Sequence, residues 1–163
     1  MWIIVRAVDN NSVYSDGSNS NSESFTTKIN LILARKPQTI LLVDDEPMVV
    51  ALVGTVLDRE GYRVMRAGSP FNALELAEGP DGAPDLLLTD ITMPLLNGPL
   101  LARAVQRAYP ATRILFMTAQ WPDVDGDLGI PQDADVLRKP FRLPELVERV
   151  RMALAERPAT AAC

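Results

Sequence analysis

Residues 84–94 read PDLLLTDITMP, and this stretch decides the fold that we predict. The run Leu86–Leu88 is short, continuous and apolar, which is typical of a parallel strand that helices cover on both faces. The strand ends at Asp90, and Pro94 follows four residues later. A carboxylate at the end of a buried strand is costly unless it has a partner or a function. We therefore expect other polar residues of the chain to meet Asp90.

The same pattern recurs on both sides of this stretch and alternates with helical segments. The predicted strands are TILLVD (39–44), YRVMRA (62–67), DLLLTD (85–90), RILFMT (113–118) and ADVLRK (134–139). Helices are predicted after Pro47, from Ser69-Pro70 to about Gly79, from Asn97 and from Pro144, because these residues are typical of helix ends. The alternation predicts an α/β fold with a doubly wound, five-stranded parallel sheet and right-handed crossovers.

The helical segments carry apolar residues at the spacing of an amphipathic helix. In the first helix the predicted inward residues are Val49, Leu52, Val53, Val56 and Leu57. In the third helix they are Leu101, Ala104, Val105 and Ala108, and in the last they are Leu146, Val147, Val150 and Leu154.

The two ends of the chain differ from this central domain, which we assign to residues 39–157. Residues 1–38 hold two strand-like stretches around a polar, turn-rich one, which indicates a β-hairpin remnant or a loosely docked leader followed by a linker. The leader resembles the last two strands of a fibronectin type III-like sandwich. Residues 158–163 read as a frayed tail. Two prolines and two glycines in 119–133 predict at most a short, poorly formed helix there.

Composition excludes several classes of function. The net charge of −5 argues against nucleic acid as a direct partner, and no apolar run approaches the roughly 18 residues of a membrane span. The single cysteine, Cys163, excludes a disulfide within the chain and fits a cytoplasmic location. The chain has no histidine, which excludes His-dependent zinc sites and Ser-His or Cys-His catalysis. Carboxylates and a lysine must carry the chemistry.

Polar residues follow four of the predicted strands. They are Asp44-Asp45-Glu46, Asp90, Thr118 and Lys139. The carboxyl ends of parallel strands share one edge of the sheet, so these residues should converge there. Clustered carboxylates repel one another, and Mg²⁺ with oxygen ligands relieves that repulsion. A lysine and a hydroxyl complete a site for a phosphoryl group.

Four pieces of the chain resemble a bacterial response-regulator receiver domain. They are LLVDDEP (41–47), DLLLTDITMPLLNG (85–98), ILFMTA (114–119) and VLRKPF (136–141). The resemblance covers about residues 39–157 and implies a flavodoxin-like strand order of 2-1-3-4-5. It also implies a role in two-component signalling, in which a partner histidine kinase or phosphotransfer protein donates a phosphoryl group from its phosphohistidine.

The resemblance assigns a metal site and a phosphoryl site. Asp45 and Asp90 correspond to direct Mg²⁺ ligands, Asp44 acts mainly through water, and the backbone carbonyl of Thr92 completes the set. Asp90 is also the phosphoacceptor.

The phosphoryl oxygens would be met by three other residues. Lys139 resembles the lysine that pairs with the phosphoryl oxygens. Thr118 resembles the switch hydroxyl of the family, and the backbone N–H of Ala119 corresponds to a further donor. Lys139-Pro140 is a candidate cis peptide. Thr92 and Gln120 correspond to variable positions that tune hydrolysis.

The chain departs from the family pattern in two places. Val136 stands where the family often has a switching aromatic residue, so coupling through such a residue is doubtful. Pro122 and Pro131 disturb the segment that usually forms the fourth helix. The stretch GIPQDADVLRKPF (129–141) resembles receivers of hybrid sensor kinases or single-domain regulators. The sequence leaves homodimer formation open.

Three alternatives remain at this stage. Asp44 and Asp45 could cap the first helix. A haloacid-dehalogenase-like phosphatase also uses an aspartyl nucleophile and Mg²⁺, but it places the nucleophile on the first strand with a second Asp two residues on. Here Asp90 is on the third strand and Thr92 follows it. A pseudo-receiver that binds its partner without phosphorylation is the third.

Overall fold

The computed structural model describes residues 36–79, 82–119, 129–131 and 133–155. The chain divides into two units between Lys36 and Pro37. The predicted leader strands, the segment with Gln120 and Pro122, and the tail over 158–163 lie outside the described residues.

The described residues form five strands and four helices that alternate along the chain. The strands are β1 (Thr39–Val43), β2 (Arg63–Ala67), β3 (Leu86–Asp90), β4 (Arg113–Thr118) and β5 (Val136–Arg138). The helices are α1 (Pro47–Arg59), α2 (Pro70–Glu78), α3 (Gly98–Ala108) and α4 (Leu143–Ala155). All strand pairs are parallel, and their order in the sheet is β2-β1-β3-β4-β5. The predicted fold class and strand order are confirmed.

The sheet is covered on both faces, as its continuous apolar strands require. Every residue of β1 and β3 is buried. One face packs against α1 and α4 through Val53, Leu57 and Val150. The other face packs against α2 and α3 through Ala73 and Leu101. The strand ends that carry the acidic residues are therefore held by a core on both sides.

Local residues set where the helices begin. The side chain of Ser69 accepts a hydrogen bond from the Asn72 N–H before α2, and that of Asn97 accepts one from the Leu100 N–H before α3. Each of these helices has a proline in its first turn, where no backbone donor is lost. No helix among the described residues has the length and apolar character that a bilayer span requires.

The structure corrects part of the predicted helix faces. Leu52 is 55% exposed, and Ala104 and Ala108 are also exposed, whereas Ala102 is buried. The buried stripe of α1 is narrower than the apolar spacing predicts, and that of α3 is shifted toward Ala102, since only residues aimed at the sheet are covered.

The fifth strand is shorter than predicted. It contains only Val136–Arg138, because the Ala134 N–H turns back to the Pro131 carbonyl just before it. The peptide bond between Lys139 and Pro140 is cis, as expected.

Candidate functional site

The ends of β1, β3 and β5 bring two acids and one lysine together. Asp44 is fully buried and Asp90 is 6% exposed. The Lys139 ammonium lies between them, with Nζ 2.6 Å from Asp44 Oδ2 and 2.7 Å from Asp90 Oδ1. The predicted convergence of these three side chains is observed. The two acids lie 46 residues apart along the chain, and Lys139 lies 49 residues beyond Asp90. The parallel sheet therefore creates this contact.

The carboxylate of Asp90 is held from two directions. Its Oδ1 accepts from Lys139, and its Oδ2 accepts from the Thr92 N–H at 2.7 Å. Burial raises the pKa of Asp90 and outweighs the hydrogen bonds from Lys139 and Thr92, which lower it. A desolvated carboxylate is a stronger base than a hydrated one. The position of Asp90 thus favours it as a nucleophile.

The carboxylate of Asp44 also has a partner on each oxygen. Oδ2 accepts from Lys139, and Oδ1 accepts from the Glu46 N–H at 3.0 Å. The residue before α1 is Glu46, which makes no side-chain capping bond to the helix. The alternative of Asp44 and Asp45 as helix caps is therefore wrong.

Lys139 is fixed through both its side chain and its backbone. Burial alone would lower the pKa of Lys139, but the hydrogen bonds to Asp44 and Asp90 outweigh it, so the pKa is raised. The ammonium therefore keeps its charge at neutral pH. The Lys139 N–H donates to the Thr118 carbonyl at 2.7 Å, which ties the lysine to the end of β4.

The remaining predicted residues surround this contact. Thr118 is buried at the end of β4, and Ala119, Asp45 and Thr92 are exposed. Asp45 follows the buried Asp44, so its side chain leaves the sheet toward solvent. Its carboxylate makes no hydrogen bond or ion pair with the part of the chain that the structure describes.

The loop after β3 is fixed by backbone contacts that the motif alone did not reveal. The Ile91 N–H donates to the Met117 carbonyl, and the Gly98 N–H donates to the Ile91 carbonyl, both at 2.9 Å. Gly98 lies so close to Asp90 that a Cβ there would be 2.2 Å from the Asp90 carbonyl oxygen. This approach sets where α3 begins. Leu95, in the same loop, has a φ of 72°.

The donor atoms suit a hard divalent cation. Carboxylates and a backbone carbonyl offer oxygen, the ligand that Mg²⁺ prefers. Asp44 and Asp90 share one ammonium, which leaves one negative charge, and Asp45 adds a second. A divalent cation matches that excess in charge. No group of three acid, histidine or cysteine side chains is gathered around one point within the described ranges, so the carboxylates are not arranged as a closed metal cage.

An apolar cleft of about 460 Å³ adjoins the lysine. It is lined by Val49, Leu52, Val53, Ala119, Pro140 and Phe141, with Glu46 and Lys139 as its polar residues. Met48, at the start of α1, is 84% exposed. Apolar surface left open beside a charged site is typical of a site that another protein covers.

Comparison with known proteins agrees with this geometry. A family model described as the response regulator receiver domain matches residues 40–151. The transcriptional regulatory protein CpxR of Escherichia coli K12 is 38% identical over 116 residues, which cover 71% of this chain and 48% of CpxR. This chain thus spans about half the length of that relative.

Solved structures show the same architecture. The chemotaxis protein CheY4 of Vibrio cholerae is 26% identical with a TM-score of 0.65, over 72% of this chain and 99% of CheY4. The receiver domain of the hybrid histidine kinase CckA is 30% identical with a TM-score of 0.59, over 71% of this chain and 98% of that domain. The match of the family model and the site at the strand ends lead to one conclusion: this chain belongs to the response regulator receiver domain family.

Proposed function

We propose that this chain accepts a phosphoryl group on Asp90 from the phosphohistidine of a partner histidine kinase or phosphotransfer protein. The modified carboxylate then switches the chain's interactions in two-component signalling. The observation that carries the proposal is the Lys139 ammonium shared by two buried carboxylates, Asp44 and Asp90. A buried excess of negative charge lowers stability, so a chemical role explains it better.

In the proposed reaction a carboxylate oxygen of Asp90 attacks the phosphorus of the phosphohistidine. An oxygen–phosphorus bond forms, the phosphorus–nitrogen bond breaks, and its electron pair returns to the imidazole of the donor. Negative charge on the three equatorial oxygens must be met during transfer. Lys139 pairs with one of these oxygens, and the Thr118 hydroxyl and the Ala119 N–H donate to others. Catalysis is then mainly positioning and electrostatic stabilisation.

The same proposal includes Mg²⁺. Asp45, Asp90 and the Thr92 carbonyl would hold the ion directly, and Asp44 would act through water. Bound Mg²⁺ supplies positive charge to the carboxylates and the transferred phosphoryl group. Asp44 meanwhile positions Lys139, since its carboxylate holds the ammonium beside Asp90.

The surroundings of the site favour a protein as the phosphoryl donor. The apolar cleft and the exposed Met48 lie at the same end of α1 as Asp44. A small phosphate donor needs only the charged residues, whereas apolar contacts are useful to a larger partner. The donor surface should therefore combine a phosphohistidine with apolar residues. The proposal places the receiver domain at 39–157, in the cytoplasm, with no direct contact to nucleic acid.

Mass spectrometry tests the proposal directly. Incubation of the full chain with Mg²⁺ and acetyl phosphate should add about 80 Da, the mass of one phosphoryl group. Asp90→Asn should abolish the adduct, and EDTA should suppress it. Thr55→Val, on the exposed side of α1, is a matched control that should label normally. An unlabelled wild-type chain would refute phosphotransfer and favour the pseudo-receiver, and a labelled Asp90→Asn variant would refute the assignment of the acceptor.

A further inference from the structure

Asn97 and Gly98 form an Asn-Gly pair at the start of α3, and the proposed function does not use its chemistry. Asparagine is a thermolabile residue. It loses its side-chain amide most readily before glycine, because a residue without Cβ leaves its backbone nitrogen free to approach. That nitrogen gives its proton to solvent and attacks the side-chain carbonyl carbon. A carbon–nitrogen bond forms, and the amide group takes a proton and leaves as ammonia. Water then opens the succinimide ring to aspartate or isoaspartate.

The fold opposes the attack by this nitrogen. The Gly98 N–H donates to the Ile91 carbonyl at 2.9 Å, so the nitrogen is held by the loop from β3. The Asn97 side-chain oxygen accepts from the Leu100 N–H at 3.0 Å, which holds the side chain against the first turn of α3. The ψ of Asn97 is 160°, an extended conformation, whereas ring closure requires the Gly98 nitrogen to turn toward Asn97 Cβ.

Gly98 cannot make this turn while α3 is docked on the sheet. A Cβ at Gly98 would be 2.2 Å from the Asp90 carbonyl oxygen, so the residue is packed directly against the end of β3. Gly98 and Pro99 are both buried, whereas Asn97 is half-buried and within reach of water. The docked backbone, rather than access of water, therefore prevents the reaction. Deamidation of Asn97 requires the start of α3 to leave the sheet first.

We propose that Asn97 is a deamidation site that the docked start of α3 keeps unreactive, and that it reacts in those molecules in which the loop from β3 to α3 has opened. The deamidation itself does not rest on the proposed function. Local opening occurs in a folded protein without global unfolding. The rate of deamidation therefore reports how often this loop opens, and the modified chain accumulates because ammonia is lost.

The two products should differ in their effect on the site. Aspartate at position 97 caps a helix as well as asparagine does, so α3 docks again. Isoaspartate carries the main chain through the side chain and adds one methylene before Gly98. The longer chain cannot keep both the Gly98 bond to the Ile91 carbonyl and the approach of Gly98 to Asp90. The same loop supplies the Thr92 N–H to Asp90 Oδ2, so this product should lose phosphoryl acceptance, a step that rests on the proposed function.

The rate of deamidation tests the protection by the fold. The full chain is incubated in mildly alkaline buffer, either folded or in concentrated urea. Peptide mass spectrometry measures the conversion of Asn97, and an enzyme that methylates isoaspartate distinguishes the two products. The folded chain should react about 100-fold more slowly than the denatured chain, since a minor open state holds only about 1% of the molecules. Asn72, which precedes alanine, is the internal control and should react slowly in both states.

A pair of core substitutions separates local opening from global unfolding. Leu101 in α3 and Leu146 in α4 are both fully buried, on opposite faces of the sheet. Leu101→Ala loosens the docking of α3 and should speed the deamidation of Asn97 at least about tenfold in the folded chain. Leu146→Ala should change this rate less than about twofold. Circular dichroism checks that both variants fold, and the milder pair Leu101→Val and Leu146→Val replaces them if one does not.

The other outcomes overturn the inference. Equal rates in the folded and the denatured chain would show that the fold does not protect Asn97. Equal acceleration by both leucine substitutions would replace loop opening by global unfolding. The isoaspartate form, separated by chromatography, should not be labelled by acetyl phosphate, whereas Asn97→Asp should label as the wild type does. Normal labelling of both would overturn the effect on the site. An unlabelled fresh wild-type chain would instead refute the proposed function, while the measured rates still decide the protection of Asn97.

Discussion

Gly98 should be intolerant of even a single methyl group. An ideal Cβ at this position would lie 2.2 Å from the Asp90 carbonyl oxygen and 3.1 Å from Ile91 Cα. Ordinary contact begins at 3.4 Å, so Gly98→Ala must push α3 away from the end of β3 by about 1 Å. The three atoms nearest to the added methyl all belong to the backbone. They are fixed by the Gly98 N–H to Ile91 carbonyl bond of 2.9 Å, so no side chain can rotate away.

The expected loss follows from these contacts. Overpacking a rigid site costs about 1–3 kcal/mol, and a rigid backbone places Gly98→Ala near the upper end. Alanine also makes the unfolded chain less flexible than glycine does, which offsets the loss of stability by about 0.4–1 kcal/mol. We therefore expect the free energy of unfolding to fall by about 2 kcal/mol, which lowers the urea midpoint by about 1 M. Circular dichroism during urea titration measures this shift.

Gly54→Ala is the matched control in α1. Its Cβ would lie 2.4 Å from Arg66 Nε, but that guanidinium belongs to a flexible side chain that is partly exposed and can move. Alanine also gains about 1 kcal/mol of helix propensity over glycine. Gly54→Ala should therefore be about as stable as the wild type. Equal stability of Gly98→Ala and the wild type, or equal losses in both variants, would refute the reasoning from backbone contact.

Three further substitutions test the site and its supports by urea denaturation. Lys139→Met should cost about 3–5 kcal/mol without Mg²⁺ because it leaves buried carboxylates without their cation. Adding Asp90→Asn should recover part of that loss. If the double variant is no more stable than Lys139→Met alone, the charge argument is contradicted. Thr112→Val should lower the free energy of unfolding by about 1–2 kcal/mol, since the buried carbonyl of Pro84 loses its donor. Thr55→Val removes an equally short but exposed hydrogen bond and should change this free energy little. Asn97→Ala should cost about 1 kcal/mol through the lost α3 cap, and an unchanged midpoint would show that the cap is replaced.

The sequence was sufficient to predict the sheet and the meeting of Asp44, Asp90 and Lys139. Short apolar runs separated by helices allow few arrangements, and parallel strands end at the same edge. Asp44 and Asp45, adjacent in the sequence, were harder to tell apart from the residues alone. Only the structure shows that one is fully buried against the lysine while the other faces solvent.

What the sequence did not reveal depends on distances between backbones. The apolar spacing of α1 included Leu52, but only Val53 and Leu57 of that spacing are buried, so the 55% exposure of Leu52 appears only in three dimensions. The glycine in the motif indicates a turn, yet its reason is the approach of Gly98 to the Asp90 carbonyl rather than a positive φ. The left-handed conformation of Leu95 has no sequence signal, because leucine is not a residue that predicts it.

The attachments of Lys139 suggest how a change at Asp90 would spread. Its ammonium holds Asp44 and Asp90, while its backbone N–H holds the Thr118 carbonyl. In the proposed reaction the ammonium must turn from the free carboxylate of Asp90 to a phosphoryl oxygen, and that movement acts on a residue already bound to the end of β4. The Thr118 hydroxyl lies on the same strand end. Since Val136 offers no aromatic ring to rotate, the link from Lys139 to Thr118 is one route by which that movement would reach the β4–β5 edge.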